Sequence, residues 1–282
     1  MKKQKIWFIT GASSGFGLEM AKAALENGDK VVATVRKAPE KLKESLSTWP
    51  DLLVVTMDVI DESGVKAAVR QAIDHFGRID VLVNNAGYGF LGAIEEATAA
   101  DVQRQYDTNV FGVLNVIRAA LPYMRKQRAG HIINTSSLFA FTARPAWSLY
   151  GSTKFALEGI SQGLAAELSP FGIHVTAIEP GLFTTEFLNS NSYKKGENII
   201  EDYENSIVGQ VRKISISAYG MQPGDPKKLG RVVVQLAHSE NPPMHLPIGT
   251  DSVDSYRTNA KQLAGDIDRW EVVSVTTDHE KG

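Results

Sequence analysis

The sequence predicts an α/β fold on a doubly wound parallel sheet, and three observations carry that prediction. Short apolar runs rich in β-branched and aromatic residues alternate with helical stretches of a dozen residues or more, the pattern of parallel βαβ units. A glycine-rich turn, GASSGFG at 11–17, follows the first run and opens a helix. The stretch 134–154, NTSSLFAFTARPAWSLYGSTK, ends in Tyr-x-x-x-Lys at the start of another helix.

Taken in order, KIWFIT at 5–10 is a buried strand bounded by glycine. The helix after the glycine turn keeps Leu18, Ala21, Ala24 and Leu25 at helical spacing and stops at Asn27-Gly28. VVATVR at 31–36 is the second strand, 39–48 a polar helix, LLVVTMDV at 52–59 the third strand and 65–77 the third helix. IDVLVNNAG at 79–87 is the fourth strand with its turn. Residues 101–128 read as one long helix interrupted by Asn109, an amide on a face otherwise suited to burial. HIINTSS is the fifth strand, 149–168 a helix, IHVTAIEPG the sixth strand, and MHLPIG the last, after a helix at 225–239.

The pattern loosens between 182 and 221, where aromatic and aliphatic residues mix with polar ones. A stretch of this length and apolar content predicts short helices on a mobile substrate lid. We expect one catalytic domain over 1–250, lid included, with a C-terminal helix and tail at 251–282 packed on the same domain.

Composition narrows the function classes. The chain has 282 residues, 43% hydrophobic and 22% charged, enough apolar material for a large core. A net charge of −2 and the lack of any basic run argue against nucleic acid as a partner. The absence of cysteine excludes disulfides and thiolate chemistry, and the six histidines form no pair at metal-ligand spacing, so no metal is expected. No apolar stretch reaches the roughly 18 residues that span a bilayer, which predicts no membrane partner and a cytoplasmic location.

The chemistry concentrates in two places. Gly11, Gly15 and Gly17 let the backbone approach a pyrophosphate seated on the free N–H groups of the helix N-terminus, with Ser13, Ser14 and Phe16 in the same turn. Of the eight tyrosines only Tyr150 has a lysine four positions on, so Tyr150 and Lys154 share one helix face. A cation beside a phenol stabilises the phenolate and lowers its pKa. Ser137, thirteen positions upstream, offers a hydroxyl to the same substrate oxygen.

These residues resemble the short-chain dehydrogenase/reductase family over nearly the whole chain. The resemblance rests on TGASSGFG, NNAG at 84–87, Asn109, Ser137, Tyr150, Lys154 and EPGLFTT at 179–185, in that order. It implies one Rossmann domain with about seven parallel strands, a nicotinamide cofactor and an Asn-Ser-Tyr-Lys catalytic set. By that resemblance Tyr150 is the general acid/base, Lys154 lowers its pKa and binds the nicotinamide ribose, and Ser137 holds the substrate oxygen. Asn109 anchors a water linked to Lys154. Asp58 and Val59 would contact adenine, Asn85, Ala86 and Gly87 the adenosine side, and Pro180, Gly181, Phe183 and Thr185 the nicotinamide.

The end of the second strand bears on the cofactor. An NAD enzyme places a carboxylate there for the ribose 2′-OH; here Val35 takes that place and Arg36 and Lys37 follow, which favours NADP(H). Leu138, Phe139, Phe141, Trp147, Leu182, Phe187 and Leu188, with Tyr88, are candidates for an apolar substrate pocket; each could serve the core instead. The expectation is a carbonyl reductase (ketoreductase) acting on a bulky apolar ketone or aldehyde. The alternatives are an alcohol dehydrogenase of steroid or retinol type and a nonenzymatic NADP-binding sensor. The long helices resemble the family's dimer-forming pair, which implies a homo-oligomer.

Overall fold

The computed structural model describes residues 4–188, 193–196 and 198–279. Its core is a seven-stranded parallel sheet of β1 (Ile6–Ile9), β2 (Lys30–Val35), β3 (Leu52–Thr56), β4 (Val81–Asn84), β6 (Gly130–Thr135), β7 (Ile173–Pro180) and β9 (His245–Ile248). Their order is β3-β2-β1-β4-β6-β7-β9. A separate parallel ribbon pairs β5 (Gly89–Leu91) with β8 (Tyr193–Lys195).

Strand alternation supplies two apolar faces. Trp7 and Ile9 of β1 point to one side, where α1 (Gly15–Glu26) and α9 (Pro226–Ala237) bring Met20, Leu25, Leu229 and Val233 against them. Phe8 points to the other, among residues of α3 (Glu62–Phe76), α5 (Gly112–Gln127) and α6 (Ser148–Leu168). Burying each such large side chain contributes about 1.5–3 kcal/mol before entropy is counted. The short α2 (Pro39–Ser45) packs beside β3 and puts Leu42 into the same core as Trp7 and Ile9. Local signals set the helix ends: Asp61 caps α3 by accepting from Ser63 N, and Gly77 closes it at φ +85°.

β1 and β4 are neighbours, yet the chain leaves them toward opposite edges of the sheet. Their C-terminal ends therefore frame the crevice where doubly wound sheets bind ligands, and the glycine turn and the NNAG turn meet there.

The stretch read as one helix over 101–128 is three pieces. α4 (Ala99–Tyr106) and α5 are joined by a π-helical turn over Asp107–Phe111 that carries Asn109. π turns interrupt helices where the i−4 ladder is opened, and here the opening lets the Asn109 amide reach the loop after β4. Between 182 and 221 lie a 3₁₀ turn (Glu186–Leu188), β8, α7 (Glu201–Glu204) and α8 (Ile207–Ser217).

The C-terminal helix α10 (Thr250–Ser274) differs from expectation. Its first turns join the domain: the Ser252 hydroxyl donates to Glu179 O at 2.6 Å and the Tyr256 ring packs on Phe141 at 4.3 Å. Further on, Leu263, Ile267, Trp270 and Val273 are all more than half exposed, so most of the helix is not packed on the domain. A long helix with its own hydrogen-bond ladder can continue past the body that nucleates it.

Candidate active site

The glycine turn is shaped by its partner turn. Thr10, at the end of β1, accepts at Oγ1 from Asn85 N (2.9 Å) and Ala86 N (3.0 Å). Asn85 Nδ2 returns two bonds, to Thr10 O at 3.0 Å and Gly11 O at 3.1 Å. The turns are thereby so close that a Cβ on Gly11 would lie 2.9 Å from Ala86 Cα, and one on Gly17 2.6 Å from Asn85 Nδ2. Gly11 and Gly15 also adopt positive φ, +67° and +56°. Ser14, the N-cap of α1, makes no side-chain cap bond, so the first N–H groups of the helix stay available. Ser13 and Ser14 are exposed beside them.

Around this turn stand the other residues singled out in the sequence. Asp58 and Val59 follow β3, with Val59 buried. Arg36 and Lys37 are exposed at the end of β2, directly after the buried Val35. The segment 180–185 arches over from β7: Thr185 approaches Gly15, Phe183 meets Phe16 edge-on at 5.2 Å, and Leu182 N donates to Asp251 at 2.7 Å. Gly181 sits against the Asp251 carboxylate, where no Cβ fits.

Tyr150, Lys154 and Ser137 converge at the C-terminal end of β6. All three are buried. Ser137, two residues beyond β6, is extended and accepts from Phe139 N at 3.1 Å. Lys154 Nζ donates to Thr135 O at 2.7 Å and lies 5.6 Å from the centre of the Tyr150 ring. Burial pushes the phenol above its ordinary pKa, while a hydrogen bond with Ser137 acts the other way. The sequence reading expected Lys154 to lower the phenol; in this geometry the ammonium is turned to a backbone carbonyl and desolvation prevails. Burial also draws Lys154 down, to about 8, against the opposing pull of Glu158.

Asn109 is fully engaged elsewhere. Its Nδ2 donates to Tyr88 O (3.0 Å) and Thr153 Oγ1 (3.1 Å), and its Oδ1 accepts from Tyr88 N (3.2 Å). It thus ties the loop after β4 to helix α6, one residue before Lys154.

Of the pocket candidates, Leu138, Phe139, Trp147 and Phe187 form one apolar cluster with Tyr150. Phe187 stacks on Trp147 at 6.2 Å and lies 5.4 Å from the Tyr150 ring. Gly89 makes room, since its Cβ would meet Trp147 at 2.8 Å and Phe187 at 3.0 Å. Three candidates lie apart. Phe141 packs with His245 and Tyr256. Leu182 is 42% exposed. The Tyr88 phenol lies within the fields of Arg104, Asp101, Asp107 and Arg36, toward α4, not in the cage. The side chain of Leu188 lies outside the described part of the chain.

The segment after β7 is tied to this cage. Trp147 Nε1 donates to Ser215 Oγ of α8 at 3.1 Å, and Arg212 bridges the buried Glu96 and Glu204. Glu96 also accepts from Ala93 N and Ile200 N.

Behind Lys154 the fold gathers three groups that the sequence reading missed: Glu158, one helical turn further along α6, Glu179 of β7 and His245 of β9. The Glu158 position, four after Lys154, was visible as a same-face neighbour; the convergence of β7 and β9 on it was not.

The sequence model of the short chain dehydrogenase family matches residues 5–196. This chain belongs to the short-chain dehydrogenases. A 3-ketodihydrosphingosine reductase of Bacteroides thetaiotaomicron is 39% identical over 246 residues, covering 87% of this chain and 88% of that protein. Among solved structures, a short-chain dehydrogenase from Streptomyces avermitilis superposes with TM-score 0.90 at 36% identity, covering 98% of this chain and 100% of that one. ElxO with NADP bound superposes with TM-score 0.74 at 30% identity, covering 89% of this chain and 100% of that one.

The residues present fit a dinucleotide. The glycine cradle leaves no room for side chains, the uncapped N-terminus of α1 suits a pyrophosphate, and the sheet's switch point lies beneath both. The short-chain dehydrogenase is thus an oxidoreductase with a Rossmann-type sheet, a nucleotide cradle and a Ser-Tyr-Lys group on one side of it.

Proposed function

We propose that this short-chain dehydrogenase is an NADP(H)-dependent carbonyl reductase whose substrate is a bulky apolar ketone or aldehyde. The observation that carries this reading is the placement of Tyr150: a buried phenol, bonded to Ser137 and walled by Phe139, Trp147 and Phe187. A phenol carries its proton at neutral pH and can give it to a developing alkoxide; the Ser137 hydrogen bond opposes the rise in pKa that burial imposes and that would weaken it as an acid. Ser137 and Tyr150 together hold the carbonyl oxygen, and the aromatic wall takes the apolar substituents and excludes water. The nicotinamide, when bound, supplies the hydride. Lys154 places a positive charge beside the phenol and steadies the strand end through Thr135.

The cofactor choice draws on Arg36. No carboxylate stands at 35–37 to repel a 2′-phosphate, and an exposed guanidinium and ammonium are there to bind one. ElxO, which holds NADP, and the Bacteroides relative, whose name describes reduction of a ketone, are consistent with this reading.

The test follows NADPH and NADH oxidation with a panel of bulky ketones and aldehydes, with Tyr150→Phe beside the parent. Turnover with NADPH that falls about 10²–10⁴-fold in the variant supports the proposal. Preference for NADH would overturn the cofactor assignment. Turnover of secondary alcohols with NADP⁺ but of no carbonyl would overturn the direction.

A further inference from the structure

A cation and a carboxylate are buried together at the edge of the cage, and the reading above gives them no task. Arg212 is 7% exposed and Glu96 1%. One end of the guanidinium, Nη2, donates to Glu96, and the other, Nη1, to Glu204 of α7. Glu96 ends the 3₁₀ turn Ile94–Glu96 after β5 and also accepts from Ala93 N at 2.8 Å and Ile200 N at 3.1 Å. Three pieces of chain thus meet on one side chain: the turn after β5, the entry to α7, and α8. A Cβ on Gly196 would lie 2.9 Å from Glu96 O, so the stretch after β8 covers the same point.

Arg212 stands on the inward row of α8. Val208, Val211, Arg212 and Ser215 follow one another at helical spacing. Val208 and Val211 join the apolar cluster of Tyr150, Trp147 and Phe187, and Ser215 accepts from Trp147 Nε1. Ile207, Ile214 and Ile216 face outward, each more than 40% exposed. The helix is therefore apolar on both sides, and apolar contact, which has no direction, does not decide which row turns inward. A slip of one residue would rotate the row by about 100° and take both valines off the cage. The guanidinium decides it. Its planar fork meets two carboxylates at fixed angles, and turning it outward would leave the Glu96 carboxylate buried without its cation.

We propose that Arg212 is a positioning residue for the substrate: paired with Glu96 and Glu204, it sets the face that α8 turns to the cage, and through it the affinity for bulky apolar substrates. This rests on the cage being the substrate pocket of the reductase. A buried ion pair adds little net stability over apolar residues of the same size, so its distinctive effect is on orientation.

The test replaces the fork and keeps an apolar stem. Arg212→Met in the full chain should raise KM for bulky ketones by about 10-fold or more, hold kcat within about 3-fold and leave the Kd for NADPH unchanged. The double variant with Glu96→Gln no longer buries a carboxylate without its cation, so it should regain melting temperature but not KM. An unchanged KM in folded Arg212→Met overturns the proposal, and so does a double variant that regains both. Hydrogen exchange supplies a readout free of turnover: amides at 200–217 should exchange about 10-fold faster in Arg212→Met, with the central sheet unchanged. A parent without turnover on any carbonyl would sink the reductase reading alone. Exchange then judges this one: unchanged rates at 200–217, or faster exchange throughout the sheet, overturn it. Should Arg212→Met fail to fold, Glu96→Gln, which removes the charge and keeps the size, takes its place with the same expected and overturning results.

Discussion

The Phe187 ring covers the Tyr150 phenol, 5.4 Å away and tilted by 53°. Tyr150 is left 7% exposed, so a substrate carbonyl reaches it only after Phe187 has moved aside. Phe187→Ala should therefore raise kcat/KM for bulky ketones relative to small ones by about 10-fold or more, since removing the ring both opens the entry and deprives small substrates of contact. Specificity constants across a ketone series of increasing size would show it.

Gly17 and Gly159 make a matched pair. An added Cβ on Gly17 meets Asn85 at 2.6 Å, whereas one on Gly159, in α6, meets nothing within 4 Å. Gly17→Ala should weaken NADPH binding by about 10-fold or more and lower the melting temperature. Gly159→Ala should stabilise the fold by about 0.5–1 kcal/mol with binding unchanged. Fluorescence titration and urea melts of both variants provide the check.

Arg36 is exposed at the strand end and touches none of the catalytic groups. Arg36→Leu should raise the Kd for NADPH by about 10- to 100-fold, the worth of one charge-assisted contact, and leave that for NADH within a few-fold. Equal losses with both cofactors would place the guanidinium elsewhere than on the 2′-phosphate.

Glu179 makes stability depend on pH. Its folded pKa, about 9, exceeds the ordinary 4.5, so between those values the folded state holds more protons than the unfolded one. Stability should then fall as pH rises through that window, by at most about 1.4 kcal/mol per unit. Lys154, depressed to about 8 from 10.5, acts in the opposite sense at the top of the range. Glu179→Gln should flatten the decline between pH 5 and pH 8, as followed by urea denaturation at a series of pH values.

How much of this was readable beforehand differs by kind of information. The parallel sheet and its helices follow from local apolar runs, and the glycine turn from three glycines between a strand and a helix, because those signals lie within a few residues of one another. The Tyr150–Lys154 pair is likewise local. Phe141, Tyr88 and Leu182 are apolar or aromatic candidates for the pocket; which way a loop side chain turns is decided by distant partners, here Tyr256 for Phe141 and the groups of α4 for Tyr88. The Glu158, Glu179 and His245 group needs three elements to meet, and α10 stays mostly exposed although it was expected to pack on the domain.

The π turn at Asp107–Phe111 inserts one residue into an otherwise continuous helix. One residue corresponds to about 100° of helix rotation, so α4 and α5 present faces that a regular helix would not. Deleting a single residue there would be tolerated by the hydrogen-bond ladder, which becomes regular, yet would swing Asn109 off Tyr88 and Thr153. Losing one residue from this segment is thus expected to cost more than most substitutions within it, because it moves Asn109 as a whole and not one side chain.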